Sequence, residues 1–336
     1  MTKIAINGLG RMGKLVIRSF FDLGLDAEIV LLNDGEGDAE IHAHLLEFDT
    51  VHGRWRADFA FDDDSITIDG HKMRFTSTRD LKDLPLEELG VDLVVDCTGA
   101  FKTNAKLQPY FDAGVKKIVV SAPVKEDDAA NIVYGVNSDI YDADTHKVVT
   151  AASCTTNCIA PIVQVIREHL GIEQASFTTI HDVTNTQTIV DRVHKDPRRA
   201  RSALNSLIPT TTGSAKAIIQ IFPDLDGKID GHAVRVPLLN ASLTDIVFNV
   251  SRETTADEVN KLLEQASQTN LEGILGYETR PLVSCDYTND DRSTIVDAMS
   301  TRVIGGTHVK IYAWYDNEWG YAWRLADVTR MVVASL

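Results

Sequence analysis

Cysteine is scarce: Cys97, Cys154, Cys158 and Cys285 are the whole complement of a 336-residue chain. Their spacing fits neither a disulfide framework nor a four-ligand zinc site, so a reducing compartment and no bound metal are expected. Basic charge is also short. Lys and Arg number 33 against 49 Asp and Glu, leaving a formal charge of −16 and a pI near 5.0. The long-range field of such a chain repels phosphates, which excludes a general affinity for nucleic acid or an anionic membrane surface. An anionic substrate must therefore meet a local basic site. The strand-like opening Lys3-Ile4-Ala5-Ile6 has no basic region, no apolar stretch of signal length and no cleavage site. A cytoplasmic protein without membrane insertion is expected. Internal repeats and low-complexity segments are absent too.

What is present is enough chain for two cores, since one domain ordinarily takes about 100–200 residues. From Met1 to Ser153, short apolar strands such as Ile29 to Leu32, Leu93 to Asp96 and Ile118 to Ser121 alternate with helical stretches, the rhythm of a parallel α/β sheet. Phe59 to Phe75 alternates around Asp69-Gly70 and reads as a hairpin insertion. After Cys154 the texture changes. A helical run from Cys158 to Leu170 precedes long strands at Ser176 to Asp182, Gly231 to Val236 and Leu243 to Ser251, which predicts an α+β domain on an antiparallel sheet. The polar, basic stretch from Asp182 to Asn205 has no periodicity, and an irregular segment of that length inside a compact protein is usually functional. Its bland reading is a solvated or intersubunit face. Trp319 to Leu336 reads as an amphipathic helix.

Directly after the first strand, Asn7-Gly8-Leu9-Gly10-Arg11-Met12-Gly13 matches G-x-G-x-x-G and leads into the helical run Lys14 to Phe21. Gly8 permits a tight turn, Gly10 lets the backbone approach a pyrophosphate, and Gly13 allows close helix packing. The helix N-terminus adds amide donors and a positive dipole end. About twenty residues on, the second strand ends in Asn33-Asp34, where a carboxylate accepts from a ribose diol and repels a 2′-phosphate. This favours NAD over NADP; the alternative for Asp34 is a plain capping role. Cys97-Thr98-Gly99 ends a later strand, where a doubly wound sheet presents loops to its ligand.

The second anchor is Ala151-Ala152-Ser153-Cys154-Thr155-Thr156-Asn157-Cys158, running into an apolar helix. A thiol at a helix N-terminus has its pKa lowered from about 8.5 and its nucleophilicity raised. Cys154 sits at that boundary; Cys158, one turn later, belongs on the packing side, and a Cys-x3-Cys metal pair lacks partners nearby. A nucleophilic cysteine needs a base, and histidine is the usual choice near neutral pH. Ten histidines compete. His181 closes the strand Phe177-Thr178-Thr179-Ile180 and opens the polar loop, a position that reaches a cleft; His42 and His44 read as surface residues, and His194 and His232 as structural ones.

INGLGRMG, HLLEFDTVHGRW, ASCTTNC, HKDPRRARSALNSLIPTTTGSAK, HAVRVP and WYDNEWGY together resemble the glyceraldehyde-3-phosphate dehydrogenase family, over essentially the whole chain and in the family's order. The resemblance implies an N-terminal NAD-binding Rossmann domain, residues 1–153, completed by a C-terminal helix at 317–336, and a catalytic domain at 154–316. It implies Cys154 as nucleophile and His181 as general base. Cofactor contacts would come from Gly8, Gly10, Arg11, Met12, Gly13, Asp34, Arg79, Thr98 and Ser121, with Asn317 fixing the nicotinamide carboxamide and Tyr321 nearby. Ser153, Thr155, Thr212 and Gly213 would bind the attacking inorganic phosphate, Thr184 and Arg235 the phosphate of glyceraldehyde 3-phosphate, and Arg199 would be shared by the anion region. The family is tetrameric, so a homotetramer is implied.

The chain departs from the family at Thr186, often Asp, at Ala151, often Asn, and at Arg192-Val193, usually Leu-Pro. Loss of a carboxylate near the substrate phosphate shifts substrate preference, and an arginine at 192 relaxes the bias against NADP that Asp34 maintains. LLEFDTVHGRW, SALNSLIPTTTGSAK, LNASLTD and KIYAWYDNEWGY look most like a bacterial subgroup associated with arsenate resistance, in which arsenate replaces phosphate to give 1-arseno-3-phosphoglycerate. Trp319 also occurs in the erythrose-4-phosphate dehydrogenases, the runner-up activity. A different class of reading, a binding or regulatory protein that only keeps the fold, is opposed by the complete nucleophile, base and anion set.

Overall fold

Short β-branched runs ended by turn residues give the first 153 residues nine strands: β1 Thr2–Asn7, β2 Ala27–Asn33, β3 Phe59–Asp62, β4 Ser65–Ile68, β5 His71–Thr76, β6 Leu93–Asp96, β7 Lys117–Val120, β8 Ala129–Asn131 and β9 Val148–Thr150. Helices α1 Arg11–Leu23, α2 Ala39–Glu47, α3 Leu86–Leu89 and α4 Asn104–Asp112 connect them. These are the elements of a computed structural model that describes residues 1–336. Contacts divide the chain into two units, Met1–Ser153 with Ala322–Leu336, and Cys154–Tyr321.

In the first unit the strands run β3-β4-β5-β2-β1-β6-β7-β9-β8, and every pairing from β5 to β8 is parallel. The order reverses between β1 and β6, which is where a doubly wound sheet opens its ligand crevice. Gly8 follows β1 there, and Cys97-Thr98 follows β6. The apolar side of α1 buries Leu15, Val16, Ile17 and Phe20, and Gly24 ends the helix at φ 61°. The insertion at 59–76 contains two antiparallel turns rather than the single hairpin read from Asp69-Gly70, because β3 and β4 also pair across Asp63-Asp64. Its last strand, β5, lies parallel to β2 and so joins the main sheet. His42 corrects a second expectation: it is buried, 6% exposed, with Nε2 2.8 Å from the Glu36 carbonyl.

The second unit holds α5 Cys154–Leu170, β10 Gln174–His181, β11 Ile208–Thr211, α6 Ser214–Ile221, β12 Ile229–Arg235, β13 Ser242–Asn249, α7 Ala256–Ser267, β14 Leu275–Glu278, β15 Thr294–Asp297, β16 Arg302–Ile304 and β17 His308–Tyr315; a last helix, α8 Trp319–Val333, follows. The sheet order is β11-β12-β10-β13-β17-β15-β14, with β16 on β17. Most pairs are antiparallel, as expected, but β10–β12 and β14–β15 are parallel, so the sheet is mixed. Helix α5 packs on β13, β15 and β17. It buries Ile159, Ile162, Val163, Val165 and Ile166, each worth about 1.5–3 kcal/mol, which anchors its N-terminal residue firmly. No helix is long and apolar enough to cross a membrane, and all four cysteines are free thiols.

Candidate active site

Cys154 is the first residue of α5 and His181 the last of β10, and the sheet brings them together: Sγ lies 3.7 Å from His181 Nε2. Burial pushes the Cys154 thiol up, but the hydrogen bond and charge of His181, with the charge of Arg235, outweigh it and lower the pKa. Burial pushes His181 the other way, and its contacts with Asp182 and Cys154 carry the imidazole up to about 9. Both directions favour a thiolate facing an imidazolium near neutral pH.

The far nitrogen of the ring is crowded. His181 Nδ1 lies 2.9 Å from the Asp182 carbonyl, 2.7 Å from Asp182 Oδ1 and 2.6 Å from Arg235 Nη1. The carbonyl and the guanidinium lie in hydrogen-bonding directions; the Oδ1 contact is one of charge at short range. Arginine can only donate, so its contact asks Nδ1 to accept, whereas the Asp182 oxygens ask it to donate. Two cationic groups thus stand side by side, balanced by the thiolate and by Asp182. Burial lowers the pKa of Arg235, and the charge of Arg199 adds to that. Arg235 Nε is buried with no partner, so one donor of the guanidinium is uncommitted.

The other expected anion ligands of this unit lie on its loops. Arg199 is mostly covered, its side chain 18% exposed, with Nε 3.5 Å from Asp196. Thr184, Thr186 and Gln187 form a cluster of hydroxyls and an amide, with Thr184 Oγ1 2.9 Å from Thr186 Oγ1. Gly213 caps α6 without a side-chain acceptor, and Thr212 Oγ1 donates to Ser214 Oγ at 3.1 Å. Thr155 Oγ1 is 3.1 Å from Tyr315 OH, which is 2.8 Å from Thr179 Oγ1. Asn317 is buried; its Nδ2 donates to Asp182 Oδ2 at 2.8 Å, and Tyr321 is buried as well. Asp182, Tyr315 and Ser242, which hydrogen-bonds Asn317, escaped the sequence reading. Only Asp182 left a signal, as the carboxylate next to His181. Cys158 is buried against Thr244 and Thr294, a packing position.

In the first unit, a Cβ on Gly13 would stand 1.9 Å from the Gly8 carbonyl oxygen, and one on Gly8, at φ 94°, would stand 2.6 Å from the Thr98 nitrogen. Gly10 faces open space and caps α1 with no side-chain acceptor. That is a cradle shaped for a pyrophosphate at a helix N-terminus. Asp34 Oδ2 accepts from the Leu9 amide at 2.7 Å, which ties the end of β2 to the turn. Arg11 is paired with Asp49, and Met12 is half-buried. Thr98 Oγ1 donates to Asp96 Oδ1 at 2.7 Å, and the Ser121 amide donates to the Asp96 carbonyl at 2.9 Å. Arg79 lies exposed over Gly35 and pairs with Glu36 at 2.7 Å. Ser153, half-buried, ends this unit.

Comparison with known proteins agrees with this geometry. Residues 2–104 match the family description "Glyceraldehyde 3-phosphate dehydrogenase, NAD binding domain", and residues 153–317 match "Glyceraldehyde 3-phosphate dehydrogenase, C-terminal domain". A glyceraldehyde-3-phosphate dehydrogenase 3 from a Nostoc species is 56% identical over 335 residues, covering 99% of both chains. Glyceraldehyde-3-phosphate dehydrogenase 2 of Bacillus subtilis is 44% identical, covering 99% of this chain and 97% of its own, and a plasmid-borne relative in Cupriavidus necator is 47% identical, covering 97% and 96%. With both halves matched and identity sustained from end to end, the chain belongs to the glyceraldehyde-3-phosphate dehydrogenase family and is an NAD-dependent dehydrogenase.

Proposed function

We propose that the enzyme oxidises D-glyceraldehyde 3-phosphate to 1,3-bisphosphoglycerate through a thioester on Cys154. The observation that carries this reading is the thiol at the start of α5, 3.7 Å from His181 Nε2, with Arg235 beyond the ring. The thiolate of Cys154 attacks the aldehyde carbon, the His181 imidazolium gives its proton to the carbonyl oxygen, and the hydroxyl of the resulting hemithioacetal faces the now neutral ring. His181 takes that proton as the carbon loses its hydride, leaving a thioester. NAD, when bound, supplies the hydride acceptor. The backbone N–H of Cys154, at a helix end, stabilises the developing oxyanion. Inorganic phosphate then attacks the thioester carbon, and the C–S bond breaks to return the thiolate.

In this reading Gly8, Gly10, Arg11, Met12, Gly13, Asp34, Arg79, Thr98 and Ser121 hold the cofactor in a domain of residues 1–153 completed by 317–336. Asn317, with Tyr321, positions the carboxamide. Thr184 and Arg235 take the substrate phosphate; Ser153, Thr155, Thr212 and Gly213 take the attacking oxyanion, with Arg199 shared, in a domain of residues 154–316. Arsenate is a near-isosteric tetrahedral oxyanion, so hydroxyls and arginine accept it as readily as phosphate. The arsenate-resistance reading adds that the product is then 1-arseno-3-phosphoglycerate. Thr186, where the family often has Asp, removes a negative charge beside Thr184 and bears on the choice of aldehyde. Erythrose-4-phosphate oxidation is the second reading, supported by Trp319. The enzyme acts in the cytoplasm as a homotetramer, for which the loop offers Ile189, Val190 and Val193, 70%, 71% and 100% exposed in the single chain.

Initial rates of NADH formation with phosphate, arsenate or neither, on both aldehydes, test the assignment. Oxyanion-dependent turnover of glyceraldehyde 3-phosphate that disappears in Cys154→Ser is expected, with a lower half-saturating concentration for arsenate if the resistance role holds. Turnover without oxyanion, with erythrose 4-phosphate preferred, would move the enzyme to the second reading.

A further inference from the structure

Behind His181 lies a carboxylate that a cysteine–histidine pair does not by itself require. Asp182, just past the end of β10, is 0% exposed. Its two oxygens serve different groups: Oδ1 is 2.7 Å from His181 Nδ1, and Oδ2 accepts from Asn317 Nδ2 at 2.8 Å. Asn317 Oδ1 accepts from Ser242 Oγ at 3.0 Å, and Ser242 Oγ accepts from the Asp182 amide at 3.2 Å. The three residues therefore close a ring. Its logic is fixed by donor and acceptor type, because a carboxylate can only accept and a backbone amide can only donate. Asn317 must turn its Nδ2 toward Asp182, and the hydroxyl hydrogen of Ser242 must point to Oδ1.

The ring is held from outside by Ala241, which is buried and adopts φ 62°, a left-handed conformation uncommon for a residue with a Cβ. That turn aims its two neighbours at two successive residues. Asn240 Nδ2 donates to Asp316 Oδ1 at 2.8 Å, and Ser242 reaches Asn317. Around His181 stand Cys154 of α5, Arg235 of β12 and Tyr315 of β17, whose ring meets the imidazole edge-on at 6.0 Å. Of the side chains that face the ring, Asp182 supplies the carboxylate.

We propose that Asp182 is a positioning residue with two arms: Oδ1, by its charge against Nδ1, holds the His181 ring in place and favours its protonated form, and Oδ2 fixes the Asn317 amide in the flip state offered to the nicotinamide carboxamide. It plays for the base the part of the third group in a nucleophile–base–acid arrangement, orienting the ring without reacting. It also ties the base to the cofactor's amide anchor through one buried side chain. The inference rests on the roles proposed above for Cys154, His181 and Asn317.

The test uses the full-length enzyme without cofactor, and follows alkylation of Cys154 by iodoacetamide against pH in the wild type, Asp182→Asn and Ser242→Ala. NAD affinity is measured separately by titration calorimetry. In the wild type, two inflections are expected, the upper one belonging to the imidazolium. Asp182→Asn removes the charge facing the ring and should lower the upper inflection by about one to three pH units. An amide keeps one acceptor oxygen for the two arms, so NAD binding should weaken as well, by up to about tenfold, where that oxygen turns from Asn317 to the ring. Ser242→Ala should weaken NAD binding while leaving the upper inflection in place. An Asp182→Asn enzyme with both the wild-type inflection and the wild-type NAD affinity, whatever its melting temperature, would make Asp182 a packing group and overturn the inference. Were that variant not to fold, unchanged NAD affinity in Ser242→Ala would overturn the Asn317 arm and with it the coupling. A wild-type profile with a single ordinary thiol titration would instead sink the cysteine–histidine reading itself.

Discussion

Replacing His181 by Asn takes away the positive charge 3.7 Å from Cys154 Sγ while leaving the backbone of β10 in place. At an effective dielectric of about 20, a unit charge at that distance is worth roughly 332/(20 × 3.7), or about 4.5 kcal/mol. Arg235, which also lowers the thiol pKa, stays in place, so part of the depression survives. With the imidazolium gone and burial still pushing the thiol up, the pKa of Cys154 rises. Near pH 6.5 its thiolate fraction falls, and alkylation by iodoacetamide slows by up to the factor that this energy sets, about 10³. The assay is the second-order rate of Cys154 modification between pH 4 and 10, read by mass spectrometry of the Cys154 peptide. Turnover should drop further than alkylation, since the variant also loses its base, by about 10²–10⁴-fold in all. A variant that kept fast alkylation at pH 6.5 would show that the helix end, and not the imidazolium, holds the thiolate.

Three other outcomes follow from particular contacts. Gly13→Ala sets a methyl 1.9 Å from the Gly8 carbonyl oxygen, which is backbone and cannot move aside; a loss of about 3 kcal/mol in urea unfolding and a sharp fall in NAD affinity are expected, and a neutral variant would refute the close packing of α1 on the turn. Arg11→Ala strips Asp49, whose side chain is 4% exposed, of its cation; since the Arg11 side chain is 34% exposed and the Val51 and His52 amides still serve Asp49, the cost is about 1–2 kcal/mol. Burial pushes Asp49 up, but Arg11 and those amides hold it at about 2, below the ordinary 3.8. A depressed carboxyl gives stability that is complete above the unfolded value and lost as pH falls through the folded one, so unfolding between about pH 4 and 2 should be steeper in the wild type than in Arg11→Ala. Finally, burial raises Cys97 and Cys158 to about 12, so brief alkylation of the native enzyme at pH 8 should mark Cys154 and the exposed Cys285 and spare the other two; labelling of Cys158 at the rate of Cys154 would contradict its packing role.

How much of this was legible beforehand depended on the range of each contact. The glycine turn was readable because Gly8, Gly10 and Gly13 act within one strand–turn–helix unit, and Asp34 because the next strand ends at a fixed remove. Cys154 was readable for the same local reason, a thiol opening an apolar helix. His181 had a weaker signal, since its meeting with Cys154 depends on where α5 packs on the sheet. Ser242 and Tyr315 had none: they reach the site through the pairings of β13 with β10 and β17, and side-chain alternation does not encode partner or register. The same blindness hid the parallel pairing of β10 with β12, because a strand alternates identically in either direction. His42 misled because a histidine one turn into a helix looks solvated until its carbonyl partner at Glu36 is known.

The central claim is that Cys154 carries the acyl group, and a single turnover without phosphate or arsenate tests it most directly. Glyceraldehyde 3-phosphate and NAD mixed with a stoichiometric amount of enzyme should give a burst of NADH equal to the concentration of Cys154, and acid quenching should leave the glyceryl phosphate adduct on the Cys154 peptide, discharged when phosphate is added before the quench. A burst of that size with no adduct on Cys154, or full turnover with Cys154→Ser, would contradict the account.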